Sequence, residues 1–337
     1  MLSKISAVSS FFPKNRLTNE DLAALFEDWS ADKIFKKTGI RERAIAGPDE
    51  TAGDLAGSAA EKLFVEHSIE PQSVDFLIFC TQSPDYFLPT TACLIHRRLG
   101  LRASSGAIDV NQGCSGFVYS LSLAKGLIAS GSAKRVLILT ADTYSKYIHF
   151  RDKSVRTLFG DAGAAVLVDA VSADSASRVG SFVFGTDGAG ACNLIVPTGG
   201  ARTARSAASG VEVHDESGNI RSGDNLYMNG SEIMSFTLGT VPSAIRELEA
   251  QTGHSLQACD YVVMHQANAF MLEALRKKLS IPPEKFPMRL EFCGNTVSST
   301  IPLVLEGLMR EQAGSGKLAV LVGFGVGYSW AACHVWL

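Results

Sequence analysis

The chain repeats itself, and the repeat limits the folds open to it. The segment DFLIFCTQS from Asp75 is answered by DYVVMHQAN from Asp260. Each runs on into a stretch of helical character with a basic end, LIHRRLGL in the first copy and ALRKKLSI in the second. Strand–turn–helix segments follow around Cys114 and around Asn295. GSAKRVLILTAD from Gly131 is then matched by GSGKLAVLVGFG from Gly314. Asp75 and Asp260 stand 185 positions apart and Gly131 and Gly314 183, so the register hardly drifts. Chance similarity between two buried strands is common; four matched elements in one order are not. The pattern predicts two copies of one α/β unit, residues 1–172 and 173–337, related by a pseudo-twofold axis.

Such a duplication brings equivalent loops together at the C-terminal ends of the strands, the edge where open α/β sheets bind ligands. The loops so placed carry Cys114, His265, Asn295 and the glycine run at 323–327. Cys114 lies where the apolar strand GAIDV turns into a helix beginning close to Ser115, with Phe117, Leu121, Ala124 and Leu127 at helical spacing. A thiol there faces unpaired N–H groups and the positive end of the helix dipole, and both favour the thiolate. Gly113 and Gly116 let a carbonyl approach the backbone. Taken singly, each residue has a plain structural reading. Cys114 could be a buried free thiol, His265 a packed ring, and Asn295, after Gly294, a turn or cap. Convergence on one pocket favours chemistry.

The remaining sequence narrows the class. Hydrophobic residues make up 46%, enough for a sizeable core, and 34 acidic against 31 basic side chains leave no footprint for nucleic acid or an anionic membrane. The seven cysteines, at 80, 93, 114, 192, 259, 293 and 333, form no C-x-x-C pair. With no signal-peptide pattern at the N-terminus, they predict reduced thiols in the cytoplasm. No run of about 18 apolar residues suggests a membrane span. Residues 1–12 read as a strand, and TNEDLAALFEDW as a helix capped by Thr18 or Asn19. The continuous apolar run VDFLIFCTQS (74–83) fits a parallel strand buried on both faces. PTGGARTARSAASG (197–210) reads as a mobile surface excursion or lid. GDAGAA is no dinucleotide fingerprint, since it lacks G-x-G-x-x-G and precedes a strand.

The strings GCSGF, HQAN, GNTVSS and GFGVGYSW, together with TGIRER and LFGDAGAAV, lie in one order across nearly the whole chain. In order and spacing they resemble the β-ketoacyl-acyl-carrier-protein synthase III family of the thiolase superfamily. The resemblance implies a five-layered αβαβα fold, a homodimer and a catalytic set of Cys114, His265 and Asn295. Elongating synthases use two histidines and thiolases a second cysteine, so Asn295 points to the initiating branch. The implied reaction is a decarboxylating Claisen condensation of a primer acyl thioester with malonyl-acyl carrier protein, through an acyl group held on Cys114. The backbone N–H groups of Cys114 and Val326 are implied as the oxyanion hole, with His265 and Asn295 donating to the malonyl thioester oxygen. Implied partners are acyl carrier protein and a primer on coenzyme A or a carrier. No metal or redox cofactor is required. Candidate carrier or coenzyme A contacts are Lys33, Arg41, Lys153, Asn268, Lys277 and Lys278.

The chain departs from the family's pattern at the tunnel mouth. A Trp that stacks on adenine is Lys33 here, with Trp29 out of register, and an Arg on the other face is Lys153. A basic residue after HQAN is Phe270, while Lys277 and Lys278 keep the basic pair. These changes predict a primer delivered by a carrier protein or an atypical coenzyme A surface. Val326 stands where Gly is usual. Leu88 replaces a Phe that reaches across the dimer into the acyl pocket, which implies a primer longer or more branched than acetyl. Two other readings are a same-fold acyltransferase acting on an oxygen or nitrogen acceptor without decarboxylation, and a non-catalytic partner subunit. The retained His265 and Asn295 oppose the first and Cys114 the second.

Overall fold

The apolar run from Phe76 becomes a strand inside a five-stranded sheet whose order is β1 (Leu2–Phe11), β7 (Ala162–Val171), β6 (Arg135–Asp142), β4 (Phe76–Cys80), β5 (Gly106–Val110). The computed structural model describes residues 1–26, 28–311 and 316–337. A second sheet runs β13 (Tyr261–Met264), β14 (Leu318–Gly325), β15 (Ser329–Trp336), β8 (Arg178–Thr186). In each sheet the first matched pair is parallel, β4 with β6 and β13 with β14. The next two are antiparallel, β6–β7–β1 and β14–β15–β8. The repeat in the sequence is therefore a repeat in topology. Gly314 and Ser315, which open the last matched segment, lie outside the described residues.

One expected element is absent from the second copy. The strand predicted before Asn295, the counterpart of β5, does not form. Its backbone bonds elsewhere: Arg289 N–H donates to the Gln266 side chain at 3.0 Å, and the Glu291 carbonyl accepts from Arg41 N–H at 2.7 Å. Short antiparallel pairs complete the strands: β2 (Asn15–Thr18) with β3 (Glu42–Ile45), β9 (Leu194–Ile195) with β12 (Tyr227–Met228), and β10 (Val213–His214) with β11 (Ile220–Arg221).

Helices build the layers. α1 (Asn19–Leu25) is closed by a capping box between Thr18 and Asp21, and α2 (Ala31–Thr38) follows it. α3 (Ala52–Glu66) and α4 (Thr91–Arg98) cover the outer face of the first sheet. α5 (Gly116–Ala129) and, after the short α6 (Lys153–Arg156), α9 (Thr300–Arg310) fill the space between the sheets. There Phe117, Leu121, Ile301 and Val304 pack among residues of both. α7 (Gly230–Thr252) and α8 (Ala269–Lys278) cover the far side of the second sheet. The result is five layers, α-β-α-β-α. Each fully buried Leu or Ile of the middle layer contributes about 1.5–3 kcal/mol, so that layer joins the two copies firmly. Among the described residues no helix is long and apolar enough to cross a membrane.

The 197–210 segment lies mostly on the surface, as expected. It is exposed but tied down: Ser206 and Ser209 bond each other, and the Thr198 and Ser209 hydroxyls both donate to Asp224. It forms a wall of a cavity.

Candidate active site

Cys114 stands between β5 and α5, 4% exposed. Strand β14 passes against it because residues 323 and 325 lack side chains. A Cβ at Gly325 would lie 2.9 Å from both Cβ and Sγ of Cys114, and one at Gly323 would lie 2.7 Å from Ser115 Cα. Two main-chain N–H groups lie close enough to the sulfur to pull its pKa down, that of Val326 and that of Cys114 itself. Neither bonds a main-chain carbonyl. These are the two groups expected from sequence to form the oxyanion hole, and the fold brings them from different copies of the repeat.

Burial opposes the thiolate expected at the start of α5. Burial pushes the Cys114 thiol up to about 12, and the nearby Asp142 carboxylate adds to that, against a smaller opposite pull from the two N–H groups. Removing water costs an anion more here than the start of α5 returns.

His265 follows β13, its N–H bonded to the Val322 carbonyl at 2.8 Å and its ring edge-on to Phe324. Burial drives its pKa down to about 3, so the imidazole is neutral. Its Nδ1 lies 2.8 Å from the Thr300 hydroxyl, which also lies 3.0 Å from the Val297 carbonyl. Asn295 is pinned to the first copy of the repeat: its N–H donates to Leu158 O at 2.9 Å and its carbonyl accepts from Gly160 N–H at 3.0 Å. Its Oδ1 accepts from Val297 N–H at 2.9 Å, which leaves Nδ2 to face inward. Val297 is fully buried with φ +53°, a left-handed conformation that costs a β-branched residue on the order of 1–3 kcal/mol. Cys114, His265 and Asn295 line one chamber of about 80 Å³, walled also by Phe159, Phe324 and Asn268.

Sequence reasoning missed the groups that support these three. Thr300, Val297 and Asp142 carry no motif of their own. Asp142, at the end of β6, is fully buried and accepts from Gln82 N–H at 2.8 Å, from Ser298 N–H at 3.2 Å and from the Ser298 hydroxyl. Burial raises its carboxyl to about 7 despite these donors. It joins the loop after β4 to the loop of Asn295.

The peripheral candidates divide. Lys33 and Lys153 meet at one place: Lys33 Nζ donates to the Asp28 carbonyl at 2.8 Å and Lys153 Nζ to the Asp28 carboxylate at 2.7 Å. Lys33 and Lys37 both stand over the Trp29 ring. Arg41 is paired with Glu291 at 2.5 Å and stacks on Phe35. Asn268 caps α8, its Oδ1 accepting from Met271 N–H, and lies at the chamber wall. Lys277 and Lys278 are exposed in the last turn of α8, away from the chamber, with Lys277 near Glu273. Leu88 is 82% exposed and lies outside its own chain's chamber.

Comparison with known proteins agrees with this geometry. Residues 108–188 match the family described as 3-oxoacyl-[acyl-carrier-protein (ACP)] synthase III, and residues 250–336 match its C-terminal family. The chain is 34% identical to a beta-ketoacyl-[acyl-carrier-protein] synthase III of Xanthomonas euvesicatoria, covering 98% of this chain and 97% of that protein. A crystal structure of a 3-oxoacyl-(acyl-carrier-protein) synthase III is 54% identical, covers both chains completely and superposes with a TM-score of 0.98. A 3-oxoacyl-(acyl-carrier protein) synthase from Burkholderia xenovorans is 37% identical, with a TM-score of 0.90, over 100% of this chain and 94% of that one.

Proposed function

The chain belongs to the 3-oxoacyl-[acyl-carrier-protein] synthase III family of acyltransferases, and from that premise we propose how its own residues condense a primer acyl group with malonyl-acyl carrier protein. Cys114 Sγ attacks the primer thioester. A sulfur–acyl bond forms, the donor's C–S bond breaks, and the departing thiol takes the proton Cys114 gives up. Malonyl thioester follows. Its carboxylate leaves as carbon dioxide, and the electron pair of the broken C–C bond passes to an enolate. The enolate carbon attacks the acyl-Cys114 carbonyl, and collapse of that adduct expels the Cys114 sulfur as a thiolate, which takes a proton from water to regenerate the thiol.

Two pairs of donors serve the two developing oxyanions. The N–H groups of Cys114 and Val326 hold the oxygen of each tetrahedral adduct at the sulfur. Asn295 Nδ2 and His265 Nε2 hold the enolate oxygen. The second role needs the ring proton on Nε2, and for that the Thr300 hydroxyl must turn its one proton from the Val297 carbonyl, to which it donates at 3.0 Å, to Nδ1 at 2.8 Å. A neutral imidazole suits this work, since it polarises an oxygen without bringing a full charge into a dry site. The observation that carries the reading is the meeting of Cys114, His265 and Asn295 in one chamber. The same donors argue against simple acyl transfer to an oxygen or nitrogen acceptor, which forms no enolate.

The partners follow from the surface. The exposed Lys277 and Lys278 offer charge to an acidic carrier protein. Tyr86, Phe87 and Leu88, 61%, 90% and 82% exposed, form an apolar loop suited to a second copy of the chain, which supports a homodimer as the working unit. Seven unpaired cysteines fit the reducing cytoplasm. The test is to load Cys114 from an acyl thioester, follow the mass of the intact protein, then add malonyl-acyl carrier protein and measure carbon dioxide. Loading without carbon dioxide release would refute condensation.

A further inference from the structure

The three-residue turn that carries Val326 closes the hairpin of β14 and β15, with Gly325 opposite Ser329 at its base. Gly325 and Gly327 flank Val326, and Gly327 sits at φ +136°, so the turn by itself fixes the direction of the Val326 N–H poorly. Contacts from outside the hairpin must hold that group in place. On one side they come from its own copy of the repeat. Tyr328 exchanges main-chain bonds with Asp187, at 2.8 and 2.9 Å. Its hydroxyl accepts from Asn193 Nδ2 at 2.7 Å, and its ring stacks on Phe236 with centroids 4.0 Å apart.

On the other side lies the nucleophile turn of the first copy, Gln112 to Ser115. Among the described residues no main-chain to main-chain hydrogen bond joins it to residues 323–329. A single side chain makes the polar link. The Ser329 hydroxyl lies 2.5 Å from the Ser115 hydroxyl and donates to Gln112 Oε1 at 3.2 Å. A hydroxyl has one proton, so with that of Ser329 on Gln112, Ser115 must donate to Ser329. The bonds then run in one direction, Ser115 to Ser329 to Gln112, and grip the chain on both sides of Cys114. Ser115 and Ser329 are 1% and 3% exposed, so neither hydroxyl can exchange its partner for bulk water. An apolar contact works beside them: Val326 Cγ1 packs over Gly113, where a Cβ would fall 2.6 Å from it.

We propose that Ser329 is a positioning residue for the oxyanion hole. Through Ser115 and Gln112 it locks the hairpin tip to the nucleophile turn, and so sets the Val326 N–H beside the Cys114 N–H. The inference rests on the reading that these two groups stabilise the tetrahedral adducts at the sulfur. Their effect falls on the adduct and not on the bound donor. It also leaves aside the enolate, which His265 and Asn295 hold from other loops.

The experiment follows acylation of Cys114 by intact mass in single turnover, over a range of acetyl, butyryl and octanoyl pantetheine concentrations. It compares the wild type with Ser329→Ala, Ser115→Ala and the double variant. The maximal rate in Ser329→Ala should fall about 10–100-fold, since a misplaced donor costs less than a missing one. The half-saturating donor concentration should stay unchanged. Ser115→Ala breaks the same chain of bonds from its other end and should show the same split, and the double variant should be no slower than Ser329→Ala. Ser329→Thr, which keeps the hydroxyl, should recover most of the rate. With acyl-Cys114 already formed, Ser329→Ala should release carbon dioxide from malonyl-acyl carrier protein at the wild-type rate but give less 3-oxoacyl product per carbon dioxide. Circular dichroism checks the fold, and either native single variant decides the matter. Wild-type maximal loading, a rise in the half-saturating concentration, losses that multiply in the double variant, or an unchanged product ratio overturns the proposal. A wild-type protein that takes none of the three acyl groups overturns the acyl-enzyme reading, and this inference with it.

Discussion

Val297 N–H donates to Asn295 Oδ1 at 2.9 Å, and that bond decides which end of the carboxamide faces the chamber. With the oxygen engaged, the N–H₂ group is left for a developing enolate.

Asn295→Ala should therefore separate the two half-reactions. The variant should still take an acyl group on Cys114, while carbon dioxide release from malonyl-acyl carrier protein falls by about 10²–10³, the usual loss for one oxyanion donor. Condensation at the wild-type rate would remove Asn295 from the mechanism.

Thr300→Val removes the hydroxyl 2.8 Å from His265 Nδ1 and frees the imidazole to change tautomer. Decarboxylation should fall roughly 10–100-fold, as for other partners that orient a histidine, with Thr300→Ser restoring most of it. Because burial holds His265 down to about 3, decarboxylation by the preformed acyl-enzyme should show no acid limb near pH 6.5. A limb there in the wild type would mean that the ring is charged during turnover.

Asp142→Asn removes the charge that helps hold the Cys114 thiol up. Alkylation of Cys114 by iodoacetamide should then reach its half-maximal rate at lower pH than in the wild type. Stability should respond as well. The native Asp142 carboxyl lies above its ordinary 3.8, so its contribution is full below that value and is lost as pH rises through about 7. Melting temperature should decline as pH rises from about 4 to about 7 in the wild type and decline less in Asp142→Asn. Parallel curves would rule out this role.

Gly325→Ala places a methyl 2.9 Å from the sulfur and Cβ of Cys114, so the nucleophile must move. Acylation should drop about 10²-fold, the cost of a displacement near 1 Å. Circular dichroism should remain native. Normal loading would show that the sulfur has more freedom than the packing implies.

Much of the fold was readable because the repeat is written in strands buried on both faces, where apolar runs leave few alternatives. Cys114, His265 and Asn295 were readable for a related reason, since each sits at a strand end where a duplicated sheet must gather its loops. Charge was harder. The start of α5 suggested a thiolate, but helix position is local, whereas the burial that outweighs it comes from Gly325, Phe324 and Asn295, remote in sequence. Val297 was hidden for the opposite reason: a β-branched residue is a poor candidate for positive φ, and only the packed loop holds it there. The strand missing before Asn295 fails because Arg41 captures the Glu291 carbonyl, a contact no local pattern contains.

The pair of N–H groups at the sulfur has an evolutionary corollary. Cys114 comes from one copy of the repeat and Val326 from the other, so neither ancestral unit, expressed alone, could offer both. A split gene encoding the halves separately should regain turnover only when the fragments reassociate. The catalytic competence of this chain is a property of the seam.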